Sequence, residues 1–300
     1  MSITNELAGK FRMVAVNAET GEERVVADWF DNLILDSGLN RIGTGAVAGY
    51  CHVGSGSTAP VASNTAMQSF VASTNTVNSS ETGVANSSPY YGYFRHTYRF
   101  GQGAAAGNLS EVGIGWGASE STLFSRALIK DSGGNPTTIT VLSNEFLDVT
   151  YELRNYAPAS DSTFTATIGG VTHNCTLRAA DVTDVDSWGN NLSNYPMAIK
   201  GYGLSVFVRN GALGDITSSP DGSTGVANTW ATDSYSSGSY TMTGYSDWGL
   251  SNGNLSGGIT ALVFRTWAGS YQCSFSPAIA KDNTKTLRLN VSVTWARKTL

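Results

Sequence analysis

Charge is scarce in this 300-residue chain: Asp, Glu, Lys and Arg make up 14% of it, and the net charge is −5. No run of Lys or Arg occurs, and a nucleic-acid partner needs a basic face for its phosphates, so that partner class is not expected. Long apolar runs are missing too. Nothing approaches the roughly 20 residues of a membrane helix, and the opening stretch MSITNELAGKF lacks the charged and apolar regions of a secretory leader. Asn-x-Ser/Thr triplets such as Asn78-Ser79-Ser80 and Asn174-Cys175-Thr176 therefore carry little meaning as glycosylation sites.

Cysteine and histidine are equally sparse. Cys51, Cys175 and Cys273 are isolated, odd in number and without C-x-x-C spacing, which suits small buried side chains in a reducing compartment. His52, His96 and His173 are too scattered to join them in a zinc site. Nor does any serine sit in a G-x-S-x-G elbow, so nucleophilic catalysis finds no poised base. Gly43-Thr44-Gly45 and Gly113-Ile114-Gly115-Trp116-Gly117 lack the strand–turn–helix context of a dinucleotide site and read as turns. Asp181-Val182-Thr183-Asp184-Val185-Asp186 lacks the Gly and distal Glu of a calcium loop and reads as a solvated turn. Two carboxyl groups on a β scaffold suffice for glycoside hydrolysis. The candidates Glu111, Glu145 and Asp148 cannot be paired from sequence, and each is equally explained as a turn or strand-edge charge. The expectation is a protein that is not an enzyme and carries no cofactor and no metal.

What the chain does have is 34 Gly, 13 Tyr and 7 Trp among abundant Ser, Thr and Asn. That mixture suits short strands joined by tight turns and is poor for long helices. The fold class expected is all-β, an antiparallel β-sandwich architecture. Phe11–Val16 and Arg24–Phe30 flank a turn and read as a hairpin. Leu35, Leu39 and Ile42 recur at helical spacing, which predicts one short helix near residues 32–42. Val71 to Ser88 reads as a long loop or weak edge, and Tyr90 to Phe100 as a strand whose even positions face the core. Asp131–Pro136 reads as a hairpin connection between Leu123–Ile129 and a long run from Ile139 to Leu153. Phe164–Ile168 and Thr172–Leu177 form a second hairpin around Gly169-Gly170, and Gly203–Val208 a further strand. The clearest strand closes the chain, with Leu287, Leu289, Val291, Val293 and Trp295 all on one face.

The chain also echoes itself. Gly107-Asn108-Leu109-Ser110 recurs as Gly253-Asn254-Leu255-Ser256, Ser125–Asp131 loosely as Ser276–Asp282, and Val149-Thr150-Tyr151 as Val293-Thr294-Trp295. A duplicated β unit explains the shared order, and chance similarity between Ser/Gly/Thr-rich strands is the alternative. With the Pro and polar residues of Arg154–Asp161 as a boundary, duplication gives two tandem related β-domains, 1–157 and 158–300. Between Asn210 and Gly258, Trp230, Tyr235, Tyr240, Tyr245 and Trp248 alternate with small residues. Rigid aromatics among Ser and Gly suit an adaptable binding surface, so these are candidate host- or partner-binding residues. The same composition suits edge strands packed into a subunit interface.

Phe30–Asn40, His52–Pro60 and Leu109–Trp116, continued by Leu123–Leu128, Thr137–Leu142 and Leu147–Leu153, resemble a pattern in structural proteins of tailed bacteriophages. The resemblance covers about residues 25–190 and consists of turn and strand signatures, so it implies a scaffold and transfers no catalytic residue. It implies a virion component assembled in the host cytoplasm: a tail fibre, baseplate or tail-tip subunit that contacts other virion proteins and acts as a homo-oligomer, with a trimer the favoured form. A host surface glycan or receptor is the partner expected for the aromatic loops. A capsid decoration or head-fibre protein is the alternative reading, and a carbohydrate-binding or tailspike-like depolymerase module the second.

Overall fold

The computed structural model describes residues 1–198 and 206–298. In chain order the first half comprises β1 (Ser2–Asn17), β2 (Glu23–Asp31), β3 (Leu33–Ile34), α1 (Asp36–Ile42), β4 (Tyr50–Gly54), β5 (Phe70–Thr74), β6 (Val77–Val84), β7 (Tyr91–Phe100), β8 (Gly107–Leu109), β9 (Glu111–Gly115), β10 (Leu123–Leu128), β11 (Ile139–Val141) and β12 (Glu145–Tyr156). The second comprises β13 (Ser162–Ile168), β14 (Val171–Ala180), α2 (Val185–Trp188), β15 (Val206–Arg209), β16 (Thr224–Val226), β17 (Thr229–Thr232), β18 (Thr241–Trp248), β19 (Ile259–Thr266), β20 (Gly269–Ile279) and β21 (Leu287–Arg297). The fold is all-β and sandwich-like.

The pairing order of the first half repeats in the second. β3-β10-β9-β4-β5 forms one sheet, and β14-β20-β19-β15-β16 recurs inside a six-stranded sheet that β13 extends. Likewise β12-β7-β6 recurs as β21-β18-β17, and a helix precedes β4 as another precedes β15. The sequence echoes fall at equivalent places: Gly107–Ser110 between β7 and β9, Gly253–Ser256 between β18 and β19, Val149–Tyr151 in β12 and Val293–Trp295 in β21. These two three-strand groups flank β1 within one eight-stranded sheet, so that sheet takes strands from both sides of the 157/158 boundary. β1 runs antiparallel to β12 from Glu6 to Asn17 and parallel to β21 from Ser2 to Leu7.

Alternation decides which residues enter the core. The even positions of β7 and the odd positions of β21 from Leu287 to Trp295 are buried, as their patterns predict. One cluster of buried side chains runs through both halves, from Phe11, Tyr98 and Phe124 to Trp188, Tyr271 and Trp295. Trp188 sits where the halves meet. Its ring stands edge-on to Tyr271 at 5.6 Å, and its carbonyl lies against β7 so closely that a Cβ at Gly92 would fall 1.7 Å from the oxygen. Asn5 adds a bond from Nδ2 to the Tyr271 hydroxyl at 2.5 Å.

Several local expectations change. The helix begins at Asp36 and not at residue 32, because Leu33 and Ile34 pair with β10 as a strand. Gly38 sits inside it, and a Cβ there would lie 2.1 Å from the Phe124 carbonyl, so close packing outweighs the usual cost of a helical glycine. The Asp-rich turn holds a second helix: Asp184 caps α2 by accepting from Asp186 N (3.2 Å) and Ser187 Oγ (2.6 Å). Asp131–Pro136 closes on itself, Asp131 Oδ1 accepting from Gly133 N and Asn135 N, but β10 does not pair with the strand that follows. β11 pairs with β8 instead, which splits the Ile139–Leu153 run. Residues 71–88 contain strands β5 and β6, both at sheet edges. The β13–β14 hairpin turns through Gly169 and Gly170 at φ +58° and +81°, as a tight two-residue hairpin requires. Of the strand expected at Gly203–Val208, residues 203–205 lie outside the described residues.

The long connection between β4 and β5 is held by a buried ion pair. Glu111 and Arg126 meet at 2.7 Å with side chains 0% and 3% exposed. Glu111 also accepts from Gly56 N, Gln68 N and Ser69 N, and Arg126 donates to Thr58 O and Asn64 Oδ1. Breaking such a pair leaves the partner charge buried. Glu111→Gln is expected to cost roughly 3–5 kcal/mol in a urea melt, and a change under about 1 kcal/mol would show that the pair does not hold the loop.

His52 is buried beside the rings of Tyr50 and Phe70, and burial pushes its pKa down to about 4. The unfolded side chain titrates near 6.5 and so binds the extra proton first as pH falls. Its contribution is therefore complete above pH ~6.5 and falls by roughly 3 kcal/mol as pH drops toward 4. Urea melts from pH 7 to 4 are expected to show this slope in wild type and a shallower one in His52→Gln. Parallel slopes would remove His52 from the account.

Candidate functional site

The five aromatics singled out between Asn210 and Gly258 do not form one patch. Trp248 is fully buried and donates from Nε1 to the Gly225 carbonyl at 3.0 Å, so it is a core residue and is corrected out of any binding surface. Trp230, half-buried on edge strand β17, stands opposite the buried Ser246, which sets it on the inner side of the sheet. Tyr245 faces the other way, beneath the Arg288 guanidinium at 3.9 Å, and Arg288 is itself held by Asp247 at 2.7 and 2.8 Å. Tyr235 and Tyr240 remain, and these two lie together.

Their position follows from β21. Trp295 is buried and donates from Nε1 to the Leu39 carbonyl of α1 at 2.8 Å. Tyr235 stacks on the Trp295 ring at 5.6 Å. Its hydroxyl donates to Asn40 Oδ1 at 3.0 Å and accepts from Tyr240 N at 3.3 Å. Asn40 Oδ1 accepts further from Gly238 N (2.6 Å) and Ser237 Oγ (3.3 Å), so one helix side chain fastens the whole 235–238 turn. Tyr240 completes the turn at φ +48°, its carbonyl accepting from Trp295 N.

Beside Tyr235 lies an open depression of about 350 Å³, lined by Ser37, Asn40, Arg41, Thr44, Trp116, Tyr235 and Ser237. Helix α1 and Trp116 come from the first half of the chain, and Tyr235 and Ser237 from the second. Arg41 lies with its guanidinium 5.4 Å over the Trp116 ring, and its Nε donates to Ala46 O at 2.9 Å. Partial burial lowers the Arg41 pKa from its ordinary value, although an arginine stays protonated. Gly43 and Gly45 make room for these groups. A Cβ at Gly43 would lie 2.4 Å from the Tyr235 ring, and one at Gly45 2.5 Å from the Arg41 guanidinium. The Gly43-Thr44-Gly45 turn therefore has a packing role that its sequence alone did not reveal.

Sequence reasoning missed Arg41, Asn40 and Trp116 as members of a common site. The available signal was weak: a Trp inside a glycine-rich run, and polar residues on the outer side of the one expected helix. Other residues considered for chemistry are engaged elsewhere. Glu111 is held by Arg126, Glu145 by Arg24 at 3.0 Å, and Asp148 by Arg99 at 2.7 and 2.6 Å. His173 bonds the Pro277 carbonyl through Nδ1 at 2.5 Å. Cys51, Cys175 and Cys273 are free and buried, and burial pushes each thiol pKa up. Among the described residues no cluster of His, Cys, Asp or Glu has the arrangement of a metal site.

Comparison with family models, with curated proteins and with solved structures returned no match. The depression's own geometry is therefore what speaks to function. Two aromatic rings, a cation and short hydroxyl and amide groups present both flat apolar area and directional hydrogen bonds.

Asn40→Ala removes the acceptor that fastens the 235–238 turn. Hydrogen exchange at residues 235–240 is expected to quicken at least roughly tenfold, with strands β1 and β12 unchanged, since hydrogen bonds of this kind are each worth about 1 kcal/mol. Unaltered exchange in the turn would show that Asn40 does not position Tyr235.

Proposed function

We propose that this chain is a structural subunit of a tailed-bacteriophage virion, of the fibre, baseplate or tail-tip kind, that touches the host surface through the Arg41–Trp116–Tyr235 depression. The virion assignment is supported by the turn and strand signatures between residues 25 and 190 described above. The observation that carries the contact role is the depression itself. Exposed parts of Trp116 and Tyr235 offer ring area, while Ser37, Asn40, Thr44 and Ser237 offer the hydroxyl and amide groups that a saccharide recognises. It is an open surface without a buried acid and base, so the reading is one of binding without hydrolysis. Assembly with copies of itself, a trimer in the favoured form, and with other virion proteins belongs to the same proposal.

Saccharide binding is expected to fall at least roughly tenfold in Trp116→Ala and in Tyr235→Ala, each of which removes a ring, the loss of one such contact being worth about 1.5 kcal/mol. Tyr245→Ala, on the opposite side of its sheet, is expected to bind as wild type. Calorimetry against host surface polysaccharide, with thermal melts as a folding control, reads both. Binding that survives Trp116→Ala and Tyr235→Ala would move the contact elsewhere, and chain cleavage of the polysaccharide by purified protein would overturn the non-enzymatic reading.

A further inference from the structure

Arginine in this protein is mostly neutralised by carboxylates: Arg99 by Asp148, Arg297 by Asp36, Arg126 by Glu111. Arg41 is different. Among the described residues no carboxylate pairs with it, and none lines the depression into which it projects. Three contacts fix the side chain in advance: the Trp116 face beneath it, the Ala46 carbonyl on Nε, and the space left by Gly45. Asp36, the nearest acid in sequence, is occupied by Arg297. A partly desolvated, preorganised cation with its terminal nitrogens free of carboxylates is the arrangement that recognises an oxyanion, because the guanidinium fork matches two oxygens at once.

Resting on the saccharide reading above, we propose that the depression takes an anionic saccharide. The sugar ring lies against Trp116 and Tyr235, its hydroxyls meet the Asn40 and Thr44 side chains, and its carboxylate or phosphate oxygens are held by Arg41. A neutral sugar would leave the guanidinium without its partner. An anion lacking a ring would forgo the aromatic contacts.

The test is binding of wild type, Arg41→Met, Arg41→Lys and Trp116→Ala to oligosaccharides bearing a uronic acid, a sialic acid or a phosphate. Each is set against its carboxyl-reduced or dephosphorylated counterpart, and inorganic phosphate is run alone. Wild type is expected to prefer one anionic form at least roughly tenfold over its neutral counterpart, the factor of a charge-assisted hydrogen bond. Arg41→Met should abolish that preference with an unchanged melting midpoint, and Arg41→Lys should keep part of it. Which anionic arm binds identifies carboxylate or phosphate. Equal binding of charged and neutral forms, lost together in Trp116→Ala, overturns the anionic inference and leaves the saccharide reading standing. Inorganic phosphate binding as tightly as any phosphosugar overturns the inference as well. No saccharide bound by wild type overturns both.

Discussion

The arrangement depends on the parallel pairing of β1 with β21, the first strand with the last. Antiparallel neighbours can be joined by a tight turn, but a parallel pair needs a crossover, and here nearly the whole chain serves as one. The β12-β7-β6 group and its counterpart β21-β18-β17 each end in an edge on the side away from β1. β1 between them makes one continuous sheet of two repeated units. Glu6 and Leu7 show the double commitment: Glu6 pairs with Tyr156 on one side and Ala296 on the other, and Leu7 with Asn155 and Arg297. Loss of that pairing would separate units whose buried side chains now form one cluster.

The depression is a product of the same junction. Trp295 reaches it only because β21 lies beside β1, where its indole can bond the Leu39 carbonyl and its ring can carry Tyr235. Helix α1 then contributes Asn40 and Arg41 from the first half of the chain, and Trp116 follows β9 from that half as well. Neither repeat holds the site alone. In the second unit the position of α1 is taken by the single turn of α2, whose Trp188 turns inward to the core. The two helices at these equivalent places thus differ: α2 turns Trp188 into the core, while α1 buries Gly38, Leu39 and Ile42 and keeps Asn40 and Arg41 for the depression.

Much of the fold was legible because strands record their burial in a period of two. β7 and β21 follow that rule, and the Gly169-Gly170 turn announces its hairpin through the φ > 0 it needs. The short sequence echoes fall at equivalent places in the two pairing orders, although Gly107–Leu109 is a strand and Gly253–Ser256 is not. Pairing partners were less legible, since nothing in the Ile139–Leu153 run says that β11 joins β8 while β12 joins β1. The fully buried strand β10 likewise shows no alternation to fix its neighbours. The site was legible only in part. Tyr235 and Tyr240 were among the aromatics singled out, but composition cannot distinguish a Trp248 turned inward from a Tyr235 at the surface. Arg41 and Trp116 are brought to Tyr235 by long-range pairing that no local pattern encodes.

An electron cryo-microscopy map of the intact particle, with this subunit placed in it, decides between host contact and assembly contact. The expected result is density at the distal part of the tail with the Arg41–Trp116–Tyr235 depression open to solvent and facing away from the particle. Density in which a neighbouring subunit fills that depression, or a place on the capsid shell with the depression turned inward, would contradict a role in host contact and make those residues assembly contacts.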